Sequence, residues 1–159
     1  MIQFRGENKE LGGLPFMMEL KDGPDNVLEI VIAAETEGES GHVPDWVDSP
    51  EMRRLIEPLP QLLPSKELQY AITFEGYIMY TVRDESYSQY HPGEMAQGRI
   101  LKVFEKSKLL DYVTEVTCAQ QLVDGTYFPG PWKHYAILTQ NHTIDVIAAD
   151  EPVIRIKKE

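Results

Sequence analysis

Four histidines and one cysteine could carry metal, nucleophilic or acid/base chemistry in this chain: His42, His91, His134, His142 and Cys118. Two of the histidines have carboxylates at short spacing. His142 and Asp145 are three residues apart, and His91 and Glu94 flank Pro92-Gly93. A catalytic metal takes about three N or O ligands, so a site would draw on His91, Glu94, His134, His142 and Asp145. The spacing signatures of metal sites are absent, and no cofactor is expected. Asp145, His142 and His134 are the candidates for acid/base catalysis. Asp145 interrupts an apolar run from Ile144 to Ala148. A carboxylate there is either a general base with a raised pKa or is fixed by partners, because an unpaired buried charge is costly. The second reading is favoured, with loop amides, Lys133 or Arg155 as partners. Cys118, between Thr117 and Ala119, reads as a buried structural thiol.

These residues must be positioned mainly by strands. LPFMMEL and NVLEIVIAA flank the turn formers of Asp22–Asn26, which predicts a hairpin over 14–34. Leu68, Tyr70, Ile72 and Phe74 alternate strictly, and Tyr77–Val82 runs on after Glu75-Gly76. That pattern predicts a second hairpin over 68–83, with Gly76 taking a positive φ in the turn. His134–Gln140 and Thr143–Ala149 predict a third around Asn141-His142. RILKVF reads as a strand, and Pro152 limits VIRIKK to a short edge strand.

Two helices are expected. Ser49 caps the first, Pro50 starts it, and Met52, Leu55, Ile56 and Leu59 form an apolar stripe until Pro58 ends the regular turns. Ser107 caps the second, over about 107–120, with Leu109, Leu110, Val113 and Val116 on one side. Pro60 and Pro64 imply irregular chain up to Ser65. The expected fold is therefore α+β: a mostly antiparallel sheet built from hairpins, with two helices packed on it, in a single domain over 1–159.

No P-loop, strand-borne GxGxxG, HExxH or GxSxG occurs, which excludes the best-marked nucleotide-binding, zinc-protease and serine-hydrolase classes. Charge is the one biased quantity. Fifteen Lys and Arg stand against 26 Asp and Glu, a net charge of −11. Both nucleic acids and anionic membranes require a basic patch, so neither is an expected partner. MIQFRGENKELGG has no apolar core of a secretory signal, and no run approaches the ~20 apolar residues of a membrane helix. The expected location is the cytoplasm.

The acids concentrate in residues 35–48, which read as a loop holding Glu35, Glu37, Glu39, Asp45 and Asp48 without a Lys or Arg. Trp46 lies among them as an apolar anchor within a charged rim. Tyr87 and Tyr90, in a polar loop, suit an interface too, since tyrosine is enriched there. The leading expectation is a non-enzymatic protein-binding module whose acidic face meets a basic partner. Bacterial immunity proteins that neutralise basic nuclease toxins share this charge and size, and the analogy extends no further. The alternatives are a small metal-dependent or acid/base enzyme using the His, Asp and Glu residues above, and a small-ligand sensor with an aromatic pocket.

Overall fold

Residues 11–157 are described in the computed structural model. Most of the N-terminal run considered above as a secretory signal lies outside them. Along the chain come β1 (Phe16–Asp22), β2 (Leu28–Ser40), α1 (Pro50–Ile56), β3 (Pro60–Phe74), β4 (Met79–Asp84), a 3-10 turn (Glu85–Tyr87), β5 (Met95–Gln97), β6 (Leu101–Lys106), α2 (Lys108–Val116), β7 (Gln120–Gln121), β8 (Tyr127–Phe128), β9 (Lys133–Leu138), β10 (His142–Ala148) and β11 (Val153–Ile156). The architecture is α+β and the described strand pairs are antiparallel, as the sequence pattern predicts.

The strands divide into two sheets, ordered β1-β2-β3-β11 and β4-β10-β9-β6-β5, beside a small β7-β8 ribbon. The alternation of apolar residues explains the division. Leu28, Ile30 and Ile32 of β2 and Tyr70, Ile72 and Phe74 of β3 point inward. They meet Tyr135 and Ile137 of β9 and Ile144 and Val146 of β10 in one buried core. Burying each such side chain contributes about 1.5–3 kcal/mol. On its other face the second sheet carries α2, through a smaller cluster of Val113, Ala119, Trp132 and Ile147. Trp132 closes that cluster edge-on to Tyr127, with ring centres 5.2 Å apart.

The first and third hairpins form as expected, and β11 lies at a sheet edge. The hairpin over 68–83 does not form. β3 pairs with β2 and β11, whereas β4 pairs with β10 in the other sheet. Residues 75–78 cross between the sheets, and Ile78 already donates its amide to Ile147 O at 2.7 Å. Gly76 is not among the positive-φ glycines, and a Cβ there would meet nothing. Alternation defines which face of a strand is buried, and both strands satisfy that demand from opposite sheets.

Residues 35–48 are also not one loop. β2 continues to Ser40 and pairs with β3 from Pro60 onward, so Glu35, Glu37 and Glu39 lie on a strand. Gly38 makes room for Leu63, whose Cδ1 would lie 2.7 Å from an added Cβ. Pro60 and Pro64 are tolerated because β11 covers β3 only over 70–73, leaving this stretch an edge that needs no amide donor.

Candidate functional site

Two places gather the residues singled out by type. One is an exposed arm on the first sheet, and the other is a buried polar array in the second.

The arm consists of the outer parts of β2 and β3 and the 41–59 excursion between them. Glu37 faces Leu62 and Thr36 faces Leu63 across the ribbon. Gly41 N–H donates to Glu57 O at 2.8 Å, which closes the excursion at its base. Within it Ser49 caps α1, its Oγ accepting the Met52 amide at 3.4 Å. Proline at the first helical position and Glu51 in the first turn complete the start. The helix forms where expected, yet it buries none of its residues. Its stripe faces water: Leu55 is 72% exposed, and Met52 and Leu59 are exposed as well. Trp46 is likewise 72% exposed, while its neighbour Val47 is buried. Apolar residues at Leu62 and Leu63 extend the exposed surface down the ribbon.

Not every acid of the expected patch is available. Glu35 is half-buried, fills the space left at Gly13, and accepts from Gln140 Nε2 at 3.1 Å. It anchors the root of the arm to the β9–β10 turn. Glu37, Glu39 and Asp45 remain exposed. Tyr87 and Tyr90 are exposed on the β4–β5 connection of the other sheet, where Lys102 Nζ sits 5.2 Å from the Tyr90 ring centre. Among the described residues no hydrogen bond or ring contact joins these tyrosines to the arm.

In the buried array, Ser107, His134 and Asp145 are 2%, 3% and 4% exposed. Ser107 Oγ lies 2.7 Å from His134 Nδ1, and His134 Nε2 lies 2.7 Å from Asp145 Oδ1. Arg83 donates to Asp145 Oδ2 at 2.9 Å from its exposed position on β4, and the Thr81 hydroxyl adds a long bond at 3.4 Å. Burial pulls the Asp145 pKa upward. The hydrogen bond and charge of His134, then those of Arg83, outweigh that and hold the carboxyl below its ordinary range. The carboxylate is ionised near neutral pH, so His134 Nε2–H donates to it. In the neutral ring Nδ1 then accepts the Ser107 hydroxyl, whose oxygen accepts the Leu110 amide at 3.0 Å.

Nucleophile, base and orienting acid follow one another here as they do in hydrolytic triads. Geometry assigns the array another task. Ser107 Oγ is committed to the first turn of α2, and the Phe104 ring stacks on His134 with centres 4.2 Å apart. The array clamps α2 to the sheet. The expected partners of Asp145 are thus corrected from Lys133 and Arg155 to His134 and Arg83. Arg155 belongs to the other sheet, and Lys133 is exposed on the opposite face of β9 from His134.

The remaining candidates separate. His142 and Asp145 point to opposite faces of β10, because three residues along a strand reverse the side. His91 is exposed, and Glu94 Oε1 accepts the Lys108 amide at 3.1 Å at the start of α2. Among the described residues no group of three or more His, Cys, Asp and Glu is placed to hold a metal. Cys118 is exposed, against expectation. Thr117 bonds back to Val113 O through its amide and hydroxyl and accepts the Ala119 amide, which turns Ala119 inward instead. Among the described residues no helix is long and apolar enough to cross a membrane. No protein family, curated protein or solved structure matches the chain.

Proposed function

We propose that this protein is a non-enzymatic binding module, acting in the cytoplasm, that engages a basic partner protein through the β2–β3 arm. One observation carries the reading: α1 is a capped helix that buries none of its residues, and Met52, Leu55 and Leu59 of its apolar stripe are exposed while Ile56 is half-buried. Exposed aromatic and aliphatic residues grouped in this way are the usual anchors of an interface. Trp46 and Leu55 supply the anchors. Glu37, Glu39 and Asp45 form the rim, which chiefly sets encounter rate and partner choice.

A photo-crosslinker placed at position 55 tests this. The expected result is capture of a basic protein at low salt, weaker capture at high salt, and loss of capture with Glu37→Lys and Glu39→Lys together. Capture that is indifferent to both salt and charge reversal overturns the reading.

A further inference from the structure

The two edges of the arm are unlike. Along β3, from Pro60 to Leu68, the edge carries Pro60, Pro64 and Lys66, the residue types that keep a foreign strand from pairing. Along β2 it carries Thr36, Glu37, Gly38, Glu39 and Ser40, all exposed except the half-buried Gly38. The prolines also report which way the β2 backbone faces. Pro64 lies opposite Glu35 and has no amide hydrogen, so these two form one of the pairs that exchange no hydrogen bonds. Leu62 and Glu37, one alternation further along without a register shift, form another. In such a pair the N–H and C=O of both residues point away from the partner strand. Those of Glu37 therefore point out from the free side of β2. β1 stops short of them, its pairing ending with Phe16 opposite Ala33. Among the described residues no backbone group bonds to Glu37 on that side.

We propose that the partner adds an extended, basic segment to β2 alongside Thr36–Ser40, as a further strand of the ribbon. This rests on the arm being the partner-binding face, as proposed above, and specifies how the partner is held. Main-chain bonds to Glu37 supply attachment, and alternate side chains supply selection. Glu37 and Glu39 share a side of the strand, so a segment with Lys or Arg at every second position sets a cation against each of them. The β2 side of the arm carries only acidic charge, for no Lys or Arg occurs from Asp22 to Met52. A second copy of this protein does not fit, because pairing β2 with β2 sets acid opposite acid. The register shift between Glu37 and Ser40 turns the edge and keeps the added strand short.

An acetylated and amidated heptapeptide alternating Lys with Val, titrated at low salt into the isotope-labelled full chain and followed by amide exchange, tests the proposal. The expected result is saturable binding with the Glu37 and Glu39 amides exchanging about fivefold more slowly, and neither effect with the peptide alternating Glu with Val. N-methylating the lysine amides keeps the charge but removes the donors that face β2, and should abolish the protection. Glu37→Gln removes the charge alone, whereas Glu37→Pro also removes the outward amide. Glu37→Pro should weaken the peptide about fivefold beyond Glu37→Gln, the scale of one hydrogen bond. It is expected to fold, because that amide makes no bond to β3, and the methylated peptide decides if it does not. Equal binding of the methylated and unmethylated peptides, equal affinity of the two variants, no protection at millimolar peptide, or protection in a dimer without peptide would each overturn strand addition. The arm itself survives those results and fails only if capture at position 55 ignores salt and charge reversal.

Discussion

α1 and α2 are written in the same local code and put to opposite use. Each starts on a serine, Ser49 or Ser107, whose Oγ accepts an amide three residues on. Each carries an apolar stripe at helical spacing. In α2 that stripe buries Val113 against Ile147, and the capping serine is held from behind by His134. In α1 Met52, Leu55 and Leu59 are left in water, Ile56 is only half-buried, and the cap has no second partner in the described structure. Capping and periodicity therefore define a helix and its apolar side, whereas a sheet within reach decides whether that side becomes core. β9 supplies one for α2. The excursion from β2 carries α1 away from any.

If this contrast is real, perturbing the α2 anchorage should be felt in stability and perturbing α1 should not. The largest effect is expected for Asp145→Ala, which strands His134 and Arg83. It leaves the buried His134 Nε2–H without an acceptor, and an unsatisfied buried donor costs up to about 3 kcal/mol, measurable by urea unfolding. A milder effect follows from pH. Because folding lowers the Asp145 pKa, its contribution is complete above the unfolded value of about 3.9 and is lost as pH falls through the folded value. Unfolding free energy should thus fall less steeply below pH ~4 in Asp145→Asn than in the unaltered protein.

The two caps come next. Ser107→Ala should cost about 2 kcal/mol and Ser49→Ala about 0.5 kcal/mol, the extremes of the range for this position. Equal losses in paired thermal melts would erase the distinction between the helices. The smallest effect is expected on the outward stripe. Leu55→Gln should change stability by less than about 0.5 kcal/mol, against about 2 kcal/mol for Val113→Ala. A large drop for Leu55→Gln would place α1 in the core and withdraw the arm as an interface.

What the sequence disclosed was local. The turn at Gly23–Asn26, the serine caps and the strand faces follow from neighbouring residues, and they are present. The partnerships between distant segments were not legible. β3 and β4 read as a hairpin because each shows the right alternation, yet their edges are taken by β2, β11 and β10. The buried array shows the same limit on a finer scale. A turn centred on Asn141-His142 would pair Asp145 with Leu138 and leave His134 out of reach. The chain instead turns at Gln140-Asn141, with Thr139 N–H donating to His142 O at 3.0 Å. That shift sets His134 opposite Ile147, diagonal to Asp145 and on the same face. Ser107 was legible only as a cap, since its second bond spans 27 residues of sequence.

The position of β11 bears on how the protein is made. The first sheet is otherwise built from residues 16–74, but its last strand is drawn from Val153–Ile156, after the whole second sheet. As the chain leaves the ribosome, the inner part of β3 presents an open edge at Tyr70–Thr73 until those late residues emerge and pair with it. An open edge is a template for pairing with another chain. Synthesis stalled between residues 80 and 150 should therefore yield a nascent chain that recruits holdases or clusters with its neighbours, and release of the remaining residues should end that exposure.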